Sequence, residues 1–156
     1  MTIEQLFAGR NFDIAALKAR MVKLMADERL PFGERTMTFN SRLAQELAAW
    51  AVTQPGGGAI HDALFKAYFL DGLNLAEVDV LLGVADQINL EVDEARRVTA
   101  DRSFRQQVDA DWQRSAELGI TGVPTFVVGG HGVVGAQPYE NLAALVEAAG
   151  AKRRAN

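Results

Sequence analysis

Two short segments near the C-terminal end restrict what this chain can fold into, because they are nearly all of its strand-like material. Thr125–Val128 has the β-branched and aromatic composition of a strand, and Val133–Val134 can return as a second strand after a turn at Gly129–Gly132. A hairpin of this length is marginally stable alone, and its edges carry unpaired N–H and C=O groups. Since Phe126 and Val127 are apolar on opposite faces, both faces also require cover.

Three arrangements could supply that cover. Met37–Phe39, the only other segment with strand character, could pair with the hairpin. Helices could instead cover the edges, or a strand could arrive from another chain. The third arrangement predicts either a homo-oligomer or a partner chain that completes the sheet, and the sequence leaves all three open.

The rest of the sequence is predicted to be helical. Apolar residues recur at intervals of three and four in six segments before the hairpin and in one segment after it. Asp13 is placed to cap the first helix and Asn40 or Ser41 the second, while Phe65 and Phe69 are predicted to face inward from the third. The predicted fold class is therefore predominantly α, with a C-terminal β-hairpin and helix. The apolar stripes begin near Ile14, Leu43, Ile60, Val78, Val92, Phe104 and Tyr139.

Composition excludes several classes of function. The 156 residues are 49% hydrophobic and 23% charged, which is typical of a soluble globular domain. A net charge of -4 argues against nucleic-acid binding, and no apolar run is long enough to cross a membrane. Without a basic, then apolar, N-terminal segment, a cytoplasmic location is predicted. The chain has no cysteine and only two histidines, which excludes thiolate nucleophiles and His/Cys-rich metal centres but not a carboxylate site; no metal ligand is assigned.

Five segments together resemble a known family. They are Met37–Ala44, His61–Phe69, Val108–Trp112, Gly119–Val128 (GITGVPTFVV) and Gly132–Pro138 (GVVGAQP). In this order they resemble DsbA-like proteins of the thioredoxin superfamily, specifically the FrnE-like branch. The resemblance implies a partial thioredoxin-like (DsbA-type) α/β fold with a helical insertion. Residues 1–119 would be the helical region, 120–150 the ββα half of the thioredoxin-like domain, and 151–156 a basic tail.

The resemblance also implies a binding loop. In that family the corresponding loop presents a cis-proline, so the Val123–Pro124 bond is expected to be cis. Gly122, Val123, Pro124 and Thr125 would form the substrate-binding loop, with the backbone N–H and C=O of Val123 pairing with an extended peptide or with glutathione. The alternative is that Gly-Val-Pro-Thr is simply a turn from helix to strand.

One departure from the family determines whether this chain can carry out thiol–disulfide exchange. Its members begin with a strand–helix–strand unit whose helix starts with Cys-x-x-Cys, and this sequence contains no such unit. Thiol–disulfide exchange requires a thiolate. This polypeptide alone is therefore predicted to lack redox activity, and no catalytic residue is assigned in it.

The aromatic residues of the helical region have two interpretations. Spacing alone favours a helical core, whereas Phe69 and Trp112 could line an apolar groove beside the loop. Three functional hypotheses follow from the sequence. The first is a DsbA-like protein without its own redox centre, acting as a peptide-binding or partner-dependent remnant. The others are a self-associating structural protein and a glutathione-binding protein of isomerase or transferase type, glutathione being the only small ligand considered.

Overall fold

The computed structural model describes residues 1–9 and 13–152, and most of them are helical. The helices are α1 (Ile3–Leu6), α2 (Ile14–Asp27), α3 (Arg42–Ala51), α4 (Ile60–Phe69), α5 (Val78–Gln87), α6 (Val92–Asp101), α7 (Arg105–Glu117) and α8 (Tyr139–Ala148). A short 3₁₀ helix, Gly57–Ala59, precedes α4, and the strands are β1 (Thr125–Val128) and β2 (His131–Val134). This confirms the predicted architecture of helices followed by a hairpin and a final helix.

The chain divides into two compact units, Met1–Asp109 and Ala110–Asn156. The division falls within α7, whereas the resemblance suggested a boundary after residue 119, which remains a prediction about family architecture. Residues 153–156 of the predicted basic tail lie outside the described residues, and Lys152 is exposed. None of the described helices is both long enough and apolar enough to cross a bilayer.

Local capping explains where two of the helices begin. The Asp13 side chain accepts a hydrogen bond from the Ala16 N–H at 2.9 Å, which confirms its predicted role at the start of α2. At the start of α3, Asn40 Oδ1 accepts from the Arg42 N–H at 2.9 Å, while the Ser41 side chain makes no cap bond. Asn40 is therefore the residue of the predicted pair that satisfies a free backbone donor.

The hydrophobic core of the first unit lies among helices α3 to α6. Leu47, Ile60 and Leu81 are fully buried there, and Trp50 and Val84 nearly so. The buried stripe of α4 consists of Ile60, Leu64 and Ala67, with the half-buried Tyr68 packed against it.

Phe65 contradicts the predicted core. Its side chain is 62% exposed, so the prediction that it faces inward is wrong. The reason is geometric, because Phe65 lies about 100° around the helix from Leu64, on the flank of the buried stripe.

The sheet of the second unit has two strands. β1 and β2 pair antiparallel, with Thr125 opposite Val134 and Val128 opposite His131. Met37 instead makes a single antiparallel bridge to Thr2. Within the described residues, Met37–Phe39 therefore does not extend the hairpin, and the first of the three predicted arrangements is wrong.

Candidate functional site

The candidate site is the loop that leads from α7 into β1. The Val123–Pro124 peptide bond is cis. Thr125 Oγ1 donates a hydrogen bond to the Gly122 carbonyl at 2.6 Å, which closes the loop on itself. A Cβ atom at Gly122 would lie 3.1 Å from a methyl carbon of Val134, so a larger residue would require the Val134 side chain to shift slightly. The loop conformation is thus set by short-range contacts within the second unit.

Val123 is the most exposed large apolar residue of the described chain, at 89%. No residue in the described ranges hydrogen-bonds to its N–H or its C=O. An exposed backbone donor and acceptor can pair with an incoming extended chain as a sheet edge does. The structure thus leaves the Val123 backbone available, whereas the binding role of Gly122, Val123, Pro124 and Thr125 remains a prediction.

The register of the hairpin shows which backbone groups of β1 are also unpaired. The Gly135 N–H donates to the Pro124 C=O at 2.7 Å, which marks a hydrogen-bonded pair. Such pairs alternate along an antiparallel ladder, so Phe126 and Val128 bond to β2 while Thr125 and Val127 direct their N–H and C=O groups away from it. We call Thr125 and Val127 the open edge.

A two-residue turn fixes this register. Gly129 and Gly130 have φ angles of 57° and 81°, the positive values that a two-residue hairpin turn of type I′ requires. Such turns place a hydrogen-bonded pair next to the turn, here Val128 with His131. The turn and the Pro124–Gly135 bond therefore assign the same residues to the open edge.

Phe69, one of the two predicted groove residues, belongs to an aromatic cluster in the first unit. Its ring stacks on Phe32 at 6.5 Å and contacts Tyr68 edge-on at 4.9 Å. The Arg35 guanidinium lies 4.3 Å from the centre of the Tyr68 ring and donates a hydrogen bond to its hydroxyl. These contacts give Phe69 a packing role in holding the segment before α3 against α4.

Trp112, the other predicted groove residue, lies on α7 in the second unit. It is 52% exposed, so the helical-core interpretation does not hold for it. The predicted groove of Phe69 and Trp112 remains a prediction.

The strongest electrostatic feature is Glu46, which the sequence analysis missed. Its side chain is only 1% exposed and accepts two hydrogen bonds from Arg102, at 2.6 and 2.7 Å, and one from Arg42 Nε at 2.8 Å. The Arg102 hydrogen bonds lower the pKa of Glu46, burial opposes this, and Arg42 lowers it further. Arg42 also donates to Asp109 at 2.6 Å. The network ties α3 to α6 and α7 and has a structural role.

Among the described residues, few side chains could act as general acids, general bases or metal ligands at the open edge. His61 and His131 are both exposed, and within the described ranges no three His, Cys, Asp or Glu residues are grouped as metal ligands. The open edge can offer backbone donors and acceptors with β-branched side chains beside them. This chemistry suits recognition of an extended chain.

Comparison with known proteins gives a consistent result. A family model described as DSBA-like thioredoxin domain matches residues 8–147. Among solved structures, a 2-hydroxychromene-2-carboxylate isomerase superposes with a TM-score of 0.72 at 17% identity, covering 88% of this chain and 66% of its own. A putative protein disulfide isomerase from Nitrosomonas europaea gives 0.65 at 17%, covering 86% and 72%. No curated protein sequence matches significantly.

A third similar structure is the cytosolic disulfide reductase DsbM from Pseudomonas aeruginosa. Its TM-score is 0.58 at 21% identity, covering 83% of this chain and 73% of that one. The same reductase also superposes in a structure with GSH, with a TM-score of 0.56. At these identities the likeness is one of fold. This chain spans about two thirds to three quarters of the length of the three proteins that it matches.

Proposed function

Because this chain belongs to the DSBA-like thioredoxin domain family, we propose that it binds extended polypeptide through the backbone of Val123 and performs no thiol chemistry itself. The chain has no cysteine, so it has no thiolate to form a mixed disulfide. The part of the chain that would bind the peptide is the loop before β1. The proposal includes membership of the FrnE-like branch, which the helical motifs support, and a cytoplasmic location, which the name of the relative DsbM supports.

The observation that carries the proposal is the exposure of Val123 together with its unpaired backbone. An extended peptide that adds to a sheet edge gains main-chain hydrogen bonds, and side chains at alternate positions then give specificity. Val123 before the cis bond and the open edge after it, Thr125 and Val127, supply such positions. None of them is charged, so the favoured peptide is apolar and β-branched.

Removing the Val123 N–H is expected to weaken peptide binding about tenfold, the loss of roughly one hydrogen bond. Val123→Pro removes the donor, whereas Val123→Thr keeps both the donor and the branched side chain. The measurement is fluorescence anisotropy with labelled, S-carboxymethylated insulin B chain as the extended peptide, after circular dichroism has shown both variants folded. Equal affinities for the two variants, or no binding by the unmodified chain, would exclude the proposed role.

The purified chain is expected to give no insulin reduction above the buffer rate in the presence of dithiothreitol. The physical reason is the missing thiolate, since exchange proceeds by thiolate attack on a disulfide sulfur. The turbidity of the precipitating insulin chains is the readout, with a Cys-x-x-Cys protein as positive control. Any activity that purifies with the chain would show that this account of its chemistry is wrong.

Glutathione is the second candidate ligand. The relative DsbM has been solved with GSH, and glutathione is a peptide whose amides could pair with the Val123 backbone. This would make the chain a glutathione-binding protein of isomerase or transferase type. Calorimetric titration with glutathione separates the candidates, because the absence of both heat and a thermal shift removes this one and leaves peptide binding intact.

A further inference from the structure

Apart from the four-residue length of β1 and the proline directly before it, the open edge carries none of the features that normally keep an exposed strand from pairing. β1 and β2 contain no lysine, no acidic residue and no proline, and their register is continuous without a bulge. Natural proteins use such features to prevent edge-to-edge association. An unprotected edge of this kind is expected to be covered in the folded protein.

The second unit also lacks a buried core of its own. No described residue from Ala110 to Lys152 is buried, and Val127, Val134 and Tyr139 are strongly exposed. A two-stranded sheet is at best marginally stable in water, and three or more strands with a covered face are needed for independent stability. An additional strand beside β1 would supply what the unit lacks.

We propose that this strand is the β1 of a second copy, and that two chains pair antiparallel across a two-fold axis to form a continuous four-stranded sheet. This goes beyond the proposed peptide-binding function but uses the same edge, so self-association and peptide binding compete. A two-fold contact requires a surface that is complementary to itself. The open edge meets this requirement because it is uncharged and an antiparallel strand can pair with its own copy.

One register pairs every group of the open edge. With Phe126 of one copy opposite Phe126 of the other, Thr125 of each copy faces Val127 of the other, and their outward N–H and C=O groups find partners. The facing side chains are then Phe126 with Phe126 and Thr125 with Val127, aromatic and β-branched pairs of the kind that favour cross-strand packing. No two like charges meet in this arrangement.

The test compares two variants that add the same charge to the same unit. Val127→Lys places a lysine on the open edge, whereas Val146→Lys places it on α8, at a position of similar exposure (46% and 38%). By sedimentation velocity, the unmodified chain and Val146→Lys are expected to dimerise at micromolar concentration, and Val127→Lys to self-associate at least tenfold more weakly. A monomeric unmodified chain, or a dimer unchanged by Val127→Lys, overturns the proposal.

Hydrogen exchange of the unmodified chain gives an answer even if Val127→Lys does not fold. The Thr125 and Val127 amides are expected to exchange more slowly as protein concentration rises, while the Val146 amide, within α8, is expected to show no such dependence. Concentration-independent exchange at Thr125 and Val127 overturns the proposal. The peptide-binding function can survive that outcome, because the difference between Val123→Pro and Val123→Thr is measured separately.

Discussion

Replacing Gly57 by alanine is expected to lower the free energy of unfolding by about 3 kcal/mol, the upper part of the range for overpacking a closed site. Gly57 is buried at the start of the 3₁₀ helix before α4. A Cβ atom there would lie 1.7 Å from the Ala51 carbonyl oxygen and 2.6 Å from its carbon. Both atoms are backbone at the end of α3, so relieving the clash requires the backbone of α3 or of the 3₁₀ helix to shift.

Gly58 offers a matched control one residue away. A Cβ atom at Gly58 meets nothing within 4 Å, and its φ is not in the left-handed region. Gly58→Ala is therefore expected to be neutral or slightly stabilising, by up to about 1 kcal/mol, because alanine restricts the unfolded chain. Urea unfolding followed by circular dichroism measures both variants. Similar stabilities for Gly57→Ala and Gly58→Ala would contradict the close approach of Gly57 to α3.

Gly57 also shows that a tertiary contact cannot be predicted from local sequence patterns. The proline and glycines of Gln54–Gly58 predict a loop, and residues 54–56 form a turn, whereas Gly57 and Gly58 begin the short 3₁₀ helix. The close approach that requires glycine at one position and not at the next is a tertiary contact with Ala51, and no local pattern encodes it. Helix positions were predicted better, because apolar spacing and caps such as Asp13 are local signals.

The prediction of which α4 side chains are buried was wrong at Phe65 for a related reason. Periodicity locates the centre of an apolar stripe but not its width, and α4 carries apolar residues over much of its circumference. The core accepts Leu64 and Ala67 and leaves Phe65 in solvent. The burial of Glu46 is even harder to predict from the sequence, because its main partner, Arg102, is 56 residues away. Only the Arg42–Glu46 spacing of four residues was visible beforehand, and alone it indicates an ordinary surface ion pair.

At the candidate site, the resemblance to a family identified the loop, whereas the two-residue turn of the hairpin identifies the open edge. The segment from Gly122 to Thr125 came from likeness to a family, since a Gly-Val-Pro-Thr turn has no function of its own. The open edge could have been derived from the sequence, because a two-residue Gly-Gly turn fixes which residues of β1 face away from β2. What occupies that edge depends on molecules other than this chain, and for that reason it remains a proposal.

Replacing Glu46 by glutamine is expected to lower the free energy of unfolding by about 2–3 kcal/mol at pH 7, since hydrogen bonds between charged groups are lost at a buried carboxylate. This expected loss of stability is smaller than that for a fully buried ion pair, because the Arg102 side chain retains access to solvent. Asp109→Asn is the control, because Asp109 is an exposed carboxylate that shares Arg42, and a much smaller change is expected there.

The Glu46→Gln effect should also depend on pH in a defined direction. The folded-state pKa of Glu46 is lowered, so its contribution is fully present above the unfolded pKa of about 4.3 and is lost as the pH falls through the lower folded value. The difference in stability between the unmodified chain and Glu46→Gln should therefore be constant from pH 7 to about pH 5 and narrow below pH 4. Urea unfolding at a series of pH values measures this difference. If the gap stays constant down to pH 3, or if Asp109→Asn destabilises as much as Glu46→Gln, the stabilisation does not come from the buried Glu46 carboxylate, and α3 must be held to α6 by apolar packing alone.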